Sequence, residues 1–460
     1  MKFSKLLVAS SIAMSVAAQA ADAPKYVFYM IGDGLSSAQR QVTEYYAQSQ
    51  QNDPDYHLAI NSLPVTGIIT TQSSSSLVTD SAAAGTALAT GVKTDNGIIA
   101  LTPDGKELST LLEGAEQQGK ATGLITSTRL THATPAVFAT KNINRNAENE
   151  IAVDYLDSGV DFLAGGGLRN FITGEGSKRE DNRNLVEEFA SNGYQTFIGA
   201  QSTESFLNHK AEGGEQVLAL FSSSHLPYAI DRVEGQTPSL AQITEKGIEV
   251  LEKDKDGFFL MVEGGRIDHA AHANDIAGVV GDTLAFDNAV KEAIKFYNQH
   301  PKDTLIVVVG DHETGGMGLG LGKQYFMNLD RVAGFKESIE DKLQGTYQGD
   351  RTAFFPHLEE KFALNDLTSE EKAAIETAMD FVDAGKVDEA ATWGGYDPVA
   401  MSVAHITSKR AGVYWTSYAH TATQLPVSAM GVGAQSFGGF GDNTEVAIKM
   451  ADAMNVKIGL

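Results

Sequence analysis

Asp268 and His272 lie four residues apart in FFLMVEGGRIDHAAHAND, the stretch from 258 to 275. On a helix that spacing puts both side chains on one face, where a carboxylate oxygen and an imidazole nitrogen can share an ion. Both are ordinary Zn²⁺ ligands. The pair alone is weak evidence; it gains weight from Glu263 and the Gly264-Gly265 turn just before it. A second group, Asp311-His312, follows the run TLIVVV and is bracketed by Gly310 and Gly315-Gly316. Adjacent residues can both reach one metal where the backbone turns sharply, as glycine permits. The plain alternative is a helix-capping Asp beside a surface His.

Two other stretches suit an anion. In SLVTDSAAAGTALATGVKTDNG (76–97), Asp80-Ser81 opens a run of small residues expected to be helical. A serine at a helix N-terminus meets the positive end of the dipole and backbone N–H groups that can hold an anion. The simpler reading is an N-cap serine. No histidine adjoins Ser81 in sequence, so coordination to a metal, rather than a triad, is the expected activation. TRLTHATPAVFATKNINRN (128–146) adds His132, Thr134 and Arg145, the last a fork suited to phosphate or carboxylate.

These residues need a frame. YVFYMI (26–31), ATGLIT (121–126), DFLAGG (161–166), FFLMV (258–262) and TLIVVV (304–309) read as buried parallel strands, each followed by glycine and a helical pattern. The alternation predicts an α/β fold: a doubly wound, mostly parallel central sheet with helices on both faces. Ligands in such sheets bind beyond the carboxyl ends of the strands. YVFYMI leads to Gly32-Asp33-Gly34, FFLMV to Glu263 and TLIVVV to Asp311-His312, so three strands end in carboxylates on the expected edge.

Residues 323–400 are more charged and helical in pattern, and predict an inserted cap over that edge. Within them LTSEEKAAIETAMDFVDAG offers Thr368 as N-cap, Glu371 at the third helical position and Gly385 as a stop. The chain then returns through RAGVYW, His420 and PVSAMGVG to complete the core.

The 460 residues suffice for a large core. The first 20 read as a secretory signal peptide: Lys2 and Lys5, an apolar run, then Ala18-Gln19-Ala20 as a small-x-small cleavage site. The expected mature chain, 21–460, is periplasmic or secreted, and no later apolar stretch is long enough for a membrane span. The chain has no cysteine, which excludes thiolate chemistry and Cys-ligated zinc. A net charge of −24 opposes non-specific binding to nucleic acid or anionic lipid. An anionic substrate therefore needs positive charge supplied locally, by Arg or by metal ions.

Taken in order, G-D-G at 32–34, T-D-S-A-A-A-G-T-A at 79–87, T-H-A-T-P-A at 131–136, V-E-G-G-R-I-D-H-A-A-H at 262–272 and G-D-H-E-T-G-G at 310–316 resemble the alkaline phosphatase family. The resemblance covers about 25–322 and 402–460; the segment 323–400 matches the family's crown region only in position. The usual G-D-G-M-G reads GDGLS here, and Leu35 and Ser36 lie outside the ligand set.

The resemblance implies two Zn²⁺ and one Mg²⁺. Asp268, His272 and His420 would hold the first zinc, and Asp33, Asp311 and His312 the second, with Ser81 on its open side. Asp33, Thr134 and Glu263 would hold magnesium. Arg145 would clamp phosphate, with His132 and His269 in the surrounding layer, tuning Mg²⁺ and phosphate contacts. The implied activity is hydrolysis of phosphate monoesters through a phosphoserine on Ser81, in a homodimer. A sulfatase would need a C/S-x-P-x-R context, whereas Ser81 is followed by Ala-Ala-Ala-Gly. A phosphodiesterase stays open on spacing alone, although Arg145 suits the extra charged oxygen of a monoester. A phosphate- or metal-binding protein without turnover would not need the serine.

Overall fold

The computed structural model describes residues 23–323, 325–386 and 393–460. The signal-peptide reading of residues 1–20 lies outside the described residues. Fourteen strands are described, in chain order β1 (Tyr26–Gly32), β2 (Val65–Thr70), β3 (Ala121–Arg129), β4 (Phe162–Gly166), β5 (Gln195–Ile198), β6 (Val217–Leu220), β7 (Phe258–Glu263), β8 (Thr304–Gly310), β9 (Glu313–Thr314), β10 (Gly318–Leu319), β11 (Val413–Tyr414), β12 (His420–Thr421), β13 (Leu425–Gly431) and β14 (Gly439–Asp442). Ten of them form one sheet in the order β14-β2-β13-β8-β1-β7-β3-β4-β6-β5. Every neighbouring pair is parallel except the two that β13 makes, with β2 and β8. The other two sheets are ribbons of two strands, β10 with β11 and β9 with β12.

Every residue of β1, β7 and β8 is buried, which is why they read as unbroken apolar runs rather than alternating ones. Alternation appears instead in where the side chains go. Val27, Tyr29 and Ile31 join one core cluster, and Tyr26, Phe28 and Met30 the other, on opposite faces of the sheet. On the first face, helices Ser81–Thr90, Leu111–Gln117, Ala133–Ala139 and Asn443–Met454 supply Leu88, Leu112, Val137 and Met450. On the second, helices Leu240–Leu251 and Ile276–Gln299 supply Ile243, Phe286 and Val290. The doubly wound, mostly parallel sheet expected from the sequence is present.

The strands absent from the sequence reading flank the centre. β5, β6 and β14 have only four residues each, too few to show a period. β2 alternates buried and exposed positions because Thr66 and Ile68 lie on an uncovered face.

Beyond residue 323 the chain forms helices Arg351–Phe362, Ser369–Asp383 and Pro398–Ala411, the last running past residue 400. They enclose a separate cluster that includes Phe354, Leu358, Ile375, Met379, Val399 and Met401. The expected capping box is there. The Thr368 hydroxyl accepts from the Glu371 N–H at 3.2 Å, and the Glu371 carboxylate accepts from the Thr368 N–H at 2.8 Å. Gly385 follows the helix end with φ +66°. No helix among the described residues is long and apolar enough to cross a membrane.

Candidate active site

Asp33 sits in the turn that ends β1. The next residue, Gly34, has φ +71°, and a Cβ there would lie 2.8 Å from the Asp268 Cα. Glycine is what lets the ends of β1 and the helix after β7 come this close. That helix, Arg266–His272, presents Asp268 and His272 from one face, as their spacing predicts. Asp311 follows β8 directly. One of its oxygens accepts from the N–H groups of Gly34 (3.1 Å) and His312 (2.9 Å), which holds the turn and leaves the other oxygen for the site. The helix-cap alternative for Asp311 therefore fails. His420 arrives on β12, opposite Thr314 of β9.

Three ligand sets result, each with its donor atoms within 4.8 Å of one another: Asp268, His272 and His420; Asp33, Asp311 and His312; and Asp33, His132 and Glu263. In the first, His272 Nε2 and His420 Nε2 lie 3.3 and 3.6 Å from Asp268 Oδ1, and 3.2 Å from each other. His272 Nδ1 donates to the Tyr418 carbonyl at 2.6 Å, and His420 Nδ1 to the Thr79 carbonyl at 2.8 Å. A carbonyl only accepts, so both rings carry a proton on Nδ1 and turn Nε2 inward, the usual way an imidazole is set for a metal. In the second set, His312 Nε2 lies 3.3 Å from Asp33 and 3.2 Å from Asp311. Thr134 Oγ1 donates to Asp33 Oδ2 at 3.4 Å, on the side of the third set.

These side chains fit cations. Asp33, Asp268, Asp311 and Glu263 are all buried. One oxygen each of Asp33, Asp311 and Glu263 is buried without a hydrogen-bond partner. Unpaired buried carboxylate oxygens are costly, and a bound cation removes that cost. Burial, then repulsion from Asp311 and Asp268, pushes Asp33 well above the carboxylate range. Burial and then Asp268 do the same to Asp311, and burial lifts Glu263 to about 7. Asp268 is the exception: burial opposes its charge, but His272 and then His420 hold it well below the usual range. Its partner His272 is lifted to about 9 by Asp268, against the effect of burial.

Ser81 is the first residue of helix Ser81–Thr90, and the N-cap is Asp80, whose Oδ1 accepts from the Ala83 N–H at 3.0 Å. The capping reading of Ser81 is thus corrected: its neighbour caps the helix, and the serine hydroxyl is left for the site. Ser81 Oγ lies 3.2 Å from His312 Nε2. The other oxygen of Asp80 pairs with Arg145 Nη1 at 2.9 Å and accepts from the Gly97 N–H at 3.0 Å. Arg145 Nη2 lies 3.3 Å from His132 Nε2. His132 and His269 meet edge to face with ring centres 5.6 Å apart.

Each of the twelve residues singled out in the sequence therefore joins this cluster at the carboxyl edge of the sheet. Sequence reasoning missed the residues that aim them. Thr126 and Thr128 donate to Glu263, Thr314 donates to Asp268, and Asp80 orients Arg145. Only Asp80 gave a signal, through its place beside Ser81. His225, whose ring lies 4.3 Å from that of His269, stands alone in its stretch of sequence.

The sequence profile of the family described as Alkaline phosphatase matches residues 24–456. The chain belongs to the alkaline phosphatase family. Alkaline phosphatase 3 of Bacillus subtilis (strain 168) is 36% identical over 447 residues, 95% of this chain and 91% of that protein. The crystal structure of Thermus thermophilus alkaline phosphatase is similar at 32% identity and a TM-score of 0.83, covering 95% of this chain and 92% of the other. A variant of TAB5 alkaline phosphatase, solved with Mg bound in its M3 site, is 25% identical with a TM-score of 0.66, over 95% of this chain and 99% of that one. This alkaline phosphatase family member is a hydrolase of phosphate monoesters.

Proposed function

We propose that the chain cleaves phosphate monoesters through a phosphoserine on Ser81, with two Zn²⁺ and one Mg²⁺ in the site. The observation that carries this reading is Ser81 Oγ lying 3.2 Å from His312 Nε2, at the meeting point of ligand sets whose carboxylate oxygens are buried and unpartnered. Asp268, His272 and His420 would hold one zinc, and Asp33, Asp311 and His312 the other. Asp33, Thr134 and Glu263 would hold magnesium. The tautomer of His132 supports the last choice. Arg145 only donates, so His132 Nε2 accepts and the ring proton lies on Nδ1. That leaves the ring no lone pair for an ion, and an all-oxygen set suits Mg²⁺.

When bound, such ions lower the pKa of a hydroxyl and offset charge on the entering and departing oxygens. Ser81 Oγ gives its proton to water and attacks phosphorus as the bond to the ester oxygen breaks; the departing oxygen takes a proton from water, so the alcohol leaves and phosphoserine forms. Water then attacks the same phosphorus, Ser81 Oγ departs and recovers a proton, and inorganic phosphate is released. Arg145, aligned by Asp80, holds two phosphoryl oxygens in line. His132 and His269 form the layer behind it and tune the phosphate contacts. Positioning and charge are what this reaction needs, since the uncatalysed barrier requires up to about 20-odd kcal/mol of relief. Residues 323–400 act as the cap of this site, and export from the Lys2 and Lys5 leader and a homodimeric state belong to the same reading.

Radiolabelled phosphate ester, quenched at low pH, tests the intermediate: label is expected on Ser81, and Ser81→Ala should keep its metals while losing about a thousand-fold or more in turnover. Elemental analysis should return two zinc and one magnesium, with aryl phosphate hydrolysis rising from pH 6 into the alkaline range. Faster cleavage of a diester than of its monoester would overturn the reading.

A further inference from the structure

Arg266 is a charged residue only 2% exposed, and nothing in the proposed chemistry uses it. Its guanidinium carbon lies over the Tyr228 ring, 3.5 Å from the centre. It pairs with Asp341 and, at 3.7 Å, with Glu340. Both acids belong to the turn Ile339–Leu343, which is itself pinned by the Ile339 N–H donating to Asp275 at 2.8 Å and by Tyr228 OH donating to Glu340. Nη1, the nitrogen that faces Glu340, also lies 3.0 Å from Nδ1 of His269. A guanidinium carries five N–H donors and no acceptor, and stays protonated throughout the working range. At that distance the contact is favourable only if His269 Nδ1 offers a lone pair. The ring proton must then sit on Nε2.

We propose that Arg266 is a positioning residue that fixes His269 as the Nε2–H tautomer, so that Nε2 donates to a phosphoryl oxygen beside Arg145. Glu340 and Asp341 in turn hold Arg266. The ring plane is set independently: His225 packs against His269 at 72° on one side, and His132, the neighbour of Arg145, meets it at 82°. A pair of acids in the segment after 323 thus governs one donor of the phosphate site through a single arginine. The two histidines behind the phosphate carry opposite tautomers, because each faces an arginine through a different ring nitrogen. The proposal rests on the phosphate-binding role given to His269 above.

The test is ¹⁵N NMR of the histidine-labelled, metal-loaded protein, with His269→Asn to assign the ring. The expected spectrum shows His269 with an unprotonated Nδ1 and a protonated Nε2. Arg266→Met should turn that signal into a tautomer mixture. It should also raise both KM for aryl phosphate and the inhibition constant of inorganic phosphate about ten-fold, the size of one hydrogen bond to a charged group. Turnover at saturation should change less than about two-fold, and Arg266→Lys, which keeps a donor, should restore most of the affinity. Should Arg266→Met not fold, Glu340→Gln combined with Asp341→Asn loosens the guanidinium from outside, with the same changes expected in smaller measure. A wild-type His269 protonated on Nδ1 overturns the proposal. So does an Arg266→Met protein with unchanged tautomer and unchanged phosphate affinity. The tautomer is read without turnover, so failure of the hydrolytic reading and failure of this one are separable.

Discussion

Glu263 and Glu371 are both glutamates, yet their surroundings treat them in opposite ways. Glu263 ends a central strand, is fully buried, and keeps one oxygen without a partner. Glu371 sits in the first turn of a helix beyond residue 323, closes a capping box, and accepts from Arg410 Nε at 2.8 Å and Nη2 at 2.7 Å. The contrast extends to their regions. At the sheet edge, four carboxylates are packed where isolated charge is unfavourable, and hydrogen bonds aim them rather than neutralise them. Beyond 323, the described residues mostly favour stability: capped helices, an apolar cluster, and ion pairs near the surface such as Arg351 with Asp380 and Asp383, with Pro356 inside a helix as an exception. Chemistry resides where the sequence breaks the rules that make helices and cores.

Removing one charge from each region should break that symmetry most visibly. Asp268→Ala or His420→Ala should lose one equivalent of zinc and about a hundred-fold or more of activity, whereas Asp366→Ala, in an exposed ion pair with Arg410, should leave both within error. Wild-type zinc content in either ligand variant would remove the assignment. Chelation should lower the melting temperature of the whole protein, because ions that bind only the folded edge stabilise it by mass action.

A smaller effect tests the clamp. Arg145→Ala should raise KM for a monoester roughly 10- to 100-fold with melting temperature little changed, since the Arg145 side chain is partly exposed and Asp80 keeps its bond from the Gly97 N–H. A fall in stability without a change in KM would make Arg145 a structural residue.

The smallest expected effect sharpens the comparison by pH. Arg410 holds Glu371 down at about 2, against 4.5 for the free side chain. The unfolded chain therefore takes up a proton first as pH falls, and the pair's contribution is complete above about 4.5 and fades as pH falls towards 2. Glu371→Gln should cost less than about 1 kcal/mol at pH 7, the pair being partly exposed, and nothing near pH 2. Thermal melts of the two proteins across that range measure it. A constant difference would mean that the capping geometry, not the charge, is what Glu371 supplies.

The central strands were legible because parallel strands buried on both faces leave unbroken apolar runs, as in TLIVVV and YVFYMI. The site was legible because Asp33, Glu263 and Asp311 follow such runs directly, and because Asp268 and His272 keep a helical spacing. β5, β6 and β14 were not, being too short for any period to emerge. Nor were Thr126, Thr128, His225 and Arg266. Each is ordinary in its own stretch, and the contacts that distinguish it need the fold: Thr126 and Thr128 meet Glu263, His225 meets His269, and Arg266 meets Glu340 and Asp341. Ser81 sits between these cases: its type and place were readable, but either Asp80 or Ser81 can cap a helix, and only the extended backbone at Asp80 decides between them.

His420 reaches the first ligand set 148 positions after His272, on a strand of two residues that pairs with Glu313 and Thr314. Under the proposed ligand assignment the two imidazoles meet only because the folded sheet brings distant parts of the chain together. A single proteolytic cut between them would leave every ligand present, so metal retained after limited proteolysis would report that the sheet has stayed shut.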